Sequence, residues 1–452
     1  MSNNNIISIK HFLLLIVLFS APFYLVFKYS IFYGTQYWIF PAILVILLFA
    51  NSLLGFVSTT SPHYSSSINI LMRIIFLYYI YLCFQAIFLG STIDGLILRI
   101  WQHLIPILIF FPAVNILSNK QRILFTMKFM AIVSVLIAIL FLTEWVSVNI
   151  FRNASFPWTL KMIESEAINS QYGSLGGKSI FDFSSSVFRV GGPLMQMNST
   201  ALFIVYSVAY YLSKLSFRVK FTYIINISIS VIALFLISGR TAVGAFVIAI
   251  VLTNKLIKIK SLEKLLFEKL WLILIMVSII IFFGSNFINS IVQKLYYAEN
   301  IFMIAGPISA ILDEFNLYIY HILENPIIFI VGSGFGYFED PSLHFYSADF
   351  GIAYFLYMIG LFGTILIILF LTNFYKVVRL ISKLLAVGND EDAVTIFITS
   401  VLFVITAIVS SIHYVPLFHF ANYIFFYISI AAVNNLFVLS NQNKKLKHGL
   451  LT

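Results

Sequence analysis

The sequence predicts an all-α membrane protein with about twelve spanning helices, and two observations lead to that prediction. Apolar residues make up 61% of the 452 residues, charged residues only 10%, and the mean hydropathy is +1.00. Soluble domains carry about 25% charged residues. The apolar residues also fall into long runs, and an α-helix needs roughly 20 apolar residues to cross a bilayer. We therefore interpret residues 1–452 as a single integral membrane domain.

Twelve runs are long enough to be candidate spans. They cover residues 11–29, 36–57, 68–89, 96–117, 129–150, 193–213, 221–238, 241–255, 269–287, 350–374, 393–413 and 417–438. The first run lacks a small-residue cleavage site, so it is interpreted as a span rather than as a signal peptide. Residues 238–241 alone separate the seventh run from the eighth, and Gly239 there favours a tight turn between two helices over one long helix.

The basic residues predict the orientation of these spans. With the N-terminus in the cytoplasm, alternate connections collect 18 of the 27 lysines and arginines, as the positive-inside rule requires. The 18 are Lys10, Lys120, Arg122, Lys128, Lys214, Arg218, Lys220, Lys255, Lys258, Lys260, Lys264, Lys269, Lys376, Arg379, Lys383, Lys444, Lys445 and Lys447. Both termini are then cytoplasmic. The net charge of +10 is explained by topology, and a nucleic-acid partner is not needed.

This orientation leaves two large segments on the outer face, residues 151–192 and 288–349. Connections of that length are usually functional. Within the second segment, residues 308–324 have apolar positions at three- and four-residue spacing, which predicts an amphipathic helix at the membrane surface. The single cysteine, Cys83, lies in an apolar run and excludes both a disulfide framework and a cysteine-based metal cluster.

Two arginines are the best candidates for binding an anion on the outer face. Arg240 lies between two apolar runs, where the start of the next helix would add its own N–H donors. Arg189 precedes Gly191, Gly192 and Pro193, residues that allow close backbone approach and suit a helix start. A guanidinium matches the oxygens of a phosphate in a bidentate manner. The alternative is that each arginine extends to lipid headgroups or pairs with an acidic residue.

Three outer residues are candidates for proton transfer or substrate contact. Asp349 directly precedes the tenth apolar run, and His344 lies five residues earlier. Either could accept a proton from a hydroxyl group. His413 flanks the last outer turn. A lone histidine is more often structural than functional, and no spacing typical of metal ligands is present, so we expect neither a metal nor another cofactor.

Four segments resemble the Wzy/WaaL superfamily of bacterial O-antigen polymerases and ligases. In residues 189–200 an arginine and paired glycines precede a span that carries Asn198. Residues 236–244 resemble the Ser-Arg-small segment around Arg240. Asn325-Pro326 followed by Gly332-Ser-Gly resembles the Asn-Pro and Gly-x-Gly segment, and residues 349–363 resemble the span that follows it. The likeness covers roughly residues 187–370.

The resemblance implies a GT-C-like, metal-independent glycosyltransferase in the bacterial inner membrane, with its site facing the periplasm. Its substrates would be oligosaccharides linked to undecaprenyl pyrophosphate, and a separate chain-length-regulating copolymerase could assist it. Arg240 and Arg189 would bind the pyrophosphate, and Asp349 or His344 would act as the base. Substrate contacts would come from the residues Asn198, Tyr337, Tyr346 and His413.

One departure from the family favours a polymerase over a ligase. Ligases typically carry a His-Asn pair at the start of the tenth span, where this chain has Asp349-Phe350. A ligase that transfers polymer to lipid A core is the nearest alternative. A polysaccharide flippase is the alternative from another class, but transporters commonly show repeated halves and charges within the spans. Here Glu144 is the main charge within the central spans.

Overall fold

The computed structural model describes the greater part of the chain. The described residues are 8–30, 39–58, 66–88, 104–151, 153, 156–159, 191–194, 196–237, 240–256, 316, 319–320, 323, 326–332, 351–385, 390–412 and 419–449. They are 90% helical and contain no strand, which confirms the all-α prediction. The ninth apolar run and most of the two large outer segments lie outside these residues.

Thirteen helices occur within the described residues. They are α1 (Ile9–Ser30), α2 (Ile39–Ser58), α3 (Ser66–Phe88), α4 (Ile105–Leu108), α5 (Phe110–Ile116), α6 (Lys120–Asn149), α7 (Met197–Leu215), α8 (Phe221–Leu236), α9 (Arg240–Leu256), α10 (Pro326–Val331), α11 (Gly351–Leu385), α12 (Glu391–Ser410) and α13 (Phe420–Gly449). The helices α8 and α9 are separate, as the sequence predicts.

Four helical segments are long and apolar enough to cross a membrane: Lys120–Asn149, Leu356–Leu385, Glu391–Ser410 and Phe420–Ser440. Shorter apolar segments of 10–17 residues lie in α1, α2, α3, α8 and α9 and across α4 and α5. The chain is therefore a membrane protein by the length and composition of its helices. Apolar side chains on the outer faces agree with this, since Ile132, Leu136 and Ile139 of α6 follow helical spacing and are each about 40% exposed.

The centre of the bundle is α7, which packs against α6, α8, α9, α12 and α13. Every residue of α7 from Ser199 to Leu215 is buried. Small hydroxyl side chains let the neighbouring helices approach, because Ser207 hydrogen-bonds Ser230 of α8 at 2.7 Å and Ser213 hydrogen-bonds Thr399 of α12 at 2.9 Å. Such hydroxyl pairs join helices inside a bilayer, where the hydrophobic effect adds little to helix association.

Ion pairs join α6, α7 and α12 at one end of the bundle, which we call the ion-paired end. Lys120 contacts Asp390 at 2.8 Å, Lys214 contacts Asp392 at 2.9 Å, and Arg218 contacts Glu391 at 3.2 Å. These three cations belong to connections that the sequence assigns to the cytoplasm. At the same end, His11 near the start of α1 hydrogen-bonds Thr126 of α6 at 2.8 Å.

Asp390 also caps α12, because its side chain accepts a hydrogen bond from the Ala393 N–H at 3.1 Å. Partial burial of Asp390 opposes its ionisation. The hydrogen bonds from Lys120 and Ala393, together with the charge of Lys120, outweigh that effect and lower the pKa of Asp390 below its ordinary value. The ionised form of Asp390 therefore stabilises this end of the bundle.

Candidate functional site

Most of the predicted site residues lie outside the described part of the chain. This holds for Asp349, His344, Arg189, Tyr337, Tyr346 and His413. The backbone of Arg240 and the whole of Asn198 are described. These two residues can therefore be placed on the bundle, whereas the predicted base and the predicted aromatic contacts stay predictions.

Arg240 is the first residue of α9, and the helix order places it opposite the ion-paired end. The helix α8 runs antiparallel to α7, since Tyr211 and Tyr223 have ring centroids 5.9 Å apart while Ser207 pairs with Ser230 further along. Arg240 follows the end of α8 by four residues, so α9 must begin near that end. The first N–H groups of a helix have no partner within the helix, so they are donors available to an anion.

Asn198 lies in the first turn of α7, at the same end of the bundle as Arg240. Its side chain is half-buried. The helix begins at Met197, with Gln196 before it, so the sequence-based expectation of a start at Pro193 is wrong by four residues. Residues 192–194 instead form a turn, because Gly192 adopts a φ of 75° that directs the chain away from a helical path.

This turn is tightly packed between α6 and α7. The Thr200 hydroxyl donates to the Gly191 carbonyl at 2.7 Å. A Cβ on Gly192 would lie 2.9 Å from Thr200 Cγ2 and 3.2 Å from Phe141 Cδ2. Gly192 is therefore required both by its positive φ and by the closeness of its neighbours. One of the segments that carry the family resemblance is thus a fixed turn at the entrance of α7.

Glu144 is fully buried near the end of α6, one helical turn beyond Phe141. The Thr159 hydroxyl donates a short hydrogen bond to Glu144 Oε1. The Trp158 indole approaches the same carboxylate. The other oxygen, Oε2, is buried and has no hydrogen-bond partner within the described residues. Burying a carboxylate without full hydrogen bonding is costly, so such a group is a candidate for function.

His419 lies immediately before α13, at the same end of the bundle. Its ring is 6.2 Å from the ring of Tyr24 in α1 and approaches the backbone of Leu194 in the turn. Neither ring nitrogen makes a hydrogen bond within the described part of the chain, although both atoms are buried. Asn422, one turn into α13, donates to the Ser199 carbonyl of α7 at 3.0 Å. The turn 191–194 thus lies between the helix that carries Glu144 and the residue His419.

A second feature joins two other segments of the resemblance. The helix α11 is broken at Gly360, which has φ 62° and ψ −173°, and Gly332 at the end of α10 has φ 78°. A Cβ on Gly360 would lie 2.3 Å from the Gly332 nitrogen. The two glycines are therefore in backbone contact, although Gly332 belongs to the predicted outer segment and Gly360 to the apolar run that follows it. We call this contact the glycine junction.

Two side chains of α3 stabilise the glycine junction. The Tyr81 hydroxyl shares its one proton between the carbonyls of Ile359, at 2.7 Å, and of Val331. Gln85 Nε2 donates to the Met358 carbonyl at 3.1 Å and also to that of Val331. The break in α11 interrupts the helical partners of Met358 and Ile359, and Val331 ends α10, so these carbonyls need other donors; inside a bilayer water cannot supply them. Tyr81 and Gln85 were not identified from the sequence, where they look like ordinary residues of an apolar run.

No family model matches the chain, and no curated protein matches it in sequence. Within the described residues, no three histidine, cysteine, aspartate or glutamate side chains form a group that could hold a metal ion. The described residues do provide groups that can hydrogen-bond a ligand: the backbone N–H groups where α9 begins at Arg240, the glycine turn 191–194, and the buried side chains of Glu144 and His419.

Proposed function

We propose that this protein is a glycosyltransferase that joins oligosaccharide repeat units linked to undecaprenyl pyrophosphate. The product would be O-antigen or a capsular polysaccharide. The observation that carries the proposal is the position of Arg240. This residue heads a helix at the end of the bundle opposite the ion pairs, and at that end lie Asn198 and the glycine turn of another resembling segment. A bidentate cation beside free helical N–H groups suits a pyrophosphate.

The proposal includes the topology predicted from the sequence, with twelve spans, both termini in the cytoplasm and the site facing the periplasm. The ion-paired end would be cytoplasmic. Its cations on α6 and α7 and the start of α1 lie together, which suits the alternate distribution of charge. Arg240 would then face the periplasm, where repeat units on a lipid carrier would reach it from the membrane.

In the proposed reaction, a hydroxyl of the acceptor unit attacks the anomeric carbon of the donor. The bond from that carbon to the pyrophosphate breaks, and the pyrophosphate leaves with the electron pair. Arg240 and Arg189 would neutralise the charge that develops there, a form of electrostatic stabilisation that contributes strongly to catalysis. Asp349 or His344 would take the hydroxyl proton. Tyr337, Tyr346, Asn198 and His413 would contact the sugars.

A deletion strain separates this function from its alternatives. A polymerase predicts lipopolysaccharide core that carries a single repeat unit, since ligation remains intact. A ligase predicts bare core with long polymer accumulating on the lipid carrier. An unchanged gel would contradict both the polymerase and the ligase and would favour the flippase.

Substitutions of Arg240 test the pyrophosphate role. We expect Arg240→Ala to abolish polymer while the protein remains in the membrane at its normal level. Arg240→Lys should also fail, since an ammonium group lacks the bidentate geometry. The matched control is Arg122→Ala, which removes a half-buried arginine at the ion-paired end and should leave the polymer unchanged. Full-length polysaccharide in Arg240→Ala cells would remove Arg240 from the mechanism.

The two candidate bases can be separated in the same assay. Asp349→Asn and His344→Ala should differ, because only one of the residues can take the hydroxyl proton. The variant that lacks the base should lose polymer, and the other should retain it. Wild-type activity in both variants would exclude both residues from this role.

A further inference from the structure

Two buried polar groups, Glu144 and His419, lie at the end of the bundle where α9 begins with Arg240. Glu144 Oε2 and both ring nitrogens of His419 are buried, and within the described residues they make no hydrogen bond. The Trp158 indole nitrogen beside Glu144 has no aligned partner there either, whereas other neighbouring groups are paired. Thr159 donates to Glu144 Oε1, Thr200 donates to Gly191, and Asn422 donates to Ser199. Unpaired buried atoms also occur elsewhere in the bundle, for example at Thr253 and Thr395, but those belong to hydroxyl groups. A carboxylate and an imidazole cost more to bury unpaired, so Glu144 and His419 are the candidates for contact with a ligand.

Both groups lie near the turn 191–194. Phe141 contacts the turn at Gly192, and Glu144 lies one helical turn beyond Phe141 towards the end of α6. His419 approaches the turn at Leu194. Two buried polar groups, one near the end of α6 and one just before α13, therefore lie near the same short stretch of backbone.

The chemistry of the pair selects the ligand. A carboxylate oxygen accepts hydrogen bonds, and a neutral imidazole offers one acceptor and one donor. A phosphate is disfavoured beside a carboxylate, and a metal ion would need at least a third ligand, which the described residues do not supply. Hydroxyl groups, which both donate and accept, match the pair. The Trp158 indole beside Glu144 adds the apolar surface that sites for small organic ligands contain.

We propose that Glu144 and His419 form a subsite that binds hydroxyl groups of the oligosaccharide, beside the turn at residues 191–194. The proposal rests on the proposed function and names residues outside the predicted set. Glu144 Oε2 accepts a hydrogen bond from one sugar hydroxyl, and a nitrogen of His419 hydrogen-bonds another. Both are binding residues, and neither takes part in the transfer step itself.

The experiment measures binding of a defined sugar to the full-length protein in detergent. The probe is the repeat-unit oligosaccharide, released by mild acid from the lipid-linked intermediates of the deletion strain. Trp158 is 3% exposed and lies beside Glu144, so tryptophan fluorescence can report the titration. Undecaprenyl phosphate without sugar serves as the control ligand.

We expect Glu144→Gln and His419→Ala each to raise the Kd for the oligosaccharide at least tenfold. Glu144→Gln should also leave the thermal unfolding midpoint unchanged or raise it, because an incompletely paired buried charge is removed without a change in size. A purely structural carboxylate would instead lower the midpoint when it is replaced. The matched control is Ser134→Ala, a buried polar residue of α6 whose hydroxyl bonds only its own helix at Met130.

Three results would overturn the subsite: no saturable binding by the wild type, equal Kd values for the wild type and Glu144→Gln, or a midpoint that falls in Glu144→Gln along with binding. If Glu144→Gln does not purify, the Kd of His419→Ala decides alone. The gel of the deletion strain judges the proposed function separately. A strain with normal polymer and a wild-type protein that binds the sugar would reject the polymerase and keep the subsite.

Discussion

Replacing Gly360 with alanine tests the glycine junction directly. The backbone there has φ 62° and ψ −173°, a conformation open to glycine but strained for other residues. A Cβ would lie 2.3 Å from the Gly332 nitrogen and 2.7 Å from both the Ile330 oxygen and the Val331 carbonyl carbon. All three neighbours are backbone atoms, so no side chain can move aside. The conformation alone costs about 1–3 kcal/mol, and the overlap brings the expected loss to about 3 kcal/mol or more.

The matched control is Gly244→Ala in α9. A Cβ on Gly244 would meet nothing within 4 Å, and the residue lies in regular helix. Alanine is favoured over glycine in a helix interior, so this variant should be stabilised by up to about 1 kcal/mol. Both proteins would be unfolded by increasing dodecyl sulfate in mixed micelles and followed by circular dichroism. Equal midpoints for Gly360→Ala and Gly244→Ala would refute the contact between Gly332 and Gly360.

Three further predictions concern stability. Tyr81→Phe removes the hydroxyl that donates to the Ile359 carbonyl at the helix break. It should lower the free energy of unfolding in the same micelle titration by about 1–3 kcal/mol. An unchanged midpoint would mean that the carbonyl finds another donor. Lys214→Met should lower the unfolding midpoint more than Lys120→Met. Lys214 is only 8% exposed, whereas Lys120 and Asp390 form an exposed ion pair, and such a pair contributes only about 0–1 kcal/mol. A larger effect of Lys120→Met would contradict this reasoning. Because the pKa of Asp390 is lowered, the stability that its ionised form contributes is present above the ordinary pKa of 3.8 and is lost as the pH falls through the lowered pKa. Acid titration should therefore lower the unfolding midpoint, and the decline should be smaller in Lys120→Met. Identical curves for the two proteins would exclude the pair of Lys120 and Asp390 as the source of the decline.

The helices were predictable because their signal is local. The apolar runs predicted α1, α2, α3 and α8 to within a few residues. The predicted start of α6 was less accurate, because the apolar run begins at residue 129 whereas the helix begins at Lys120. Its first turns carry basic residues, and the Asn119 side chain caps them by accepting from the Arg122 N–H at 2.9 Å. A polar helical extension has no hydropathy signal, so only the capping residue marks it.

The candidate site was predictable only in part, because its contacts join distant parts of the chain. Glu144 stood out in the sequence as a charge within the central spans, but nothing pointed to Thr159 as its partner. The two glycines of the junction, Gly332 and Gly360, each belong to a segment that the sequence marks as resembling the family. Their contact depends on Tyr81 and Gln85, which lie some 250 residues before Val331 and carry no local signal. The sequence indicates which residues are unusual, whereas the fold determines which of them meet.

The two ends of the bundle follow different physical rules. At the ion-paired end, Lys214 contacts both Glu391 and Asp392, so these acidic residues at the start of α12 have an opposite charge beside them. At the other end, Glu144 and His419 are buried with atoms that the described residues leave unpaired. Natural chains keep such unfavourable groups where a ligand completes them, and they offset the cost elsewhere in the fold. The ion pairs and the hydroxyl pairs of α7 supply that stability, which is why substitutions at the two ends should separate unfolding from sugar binding.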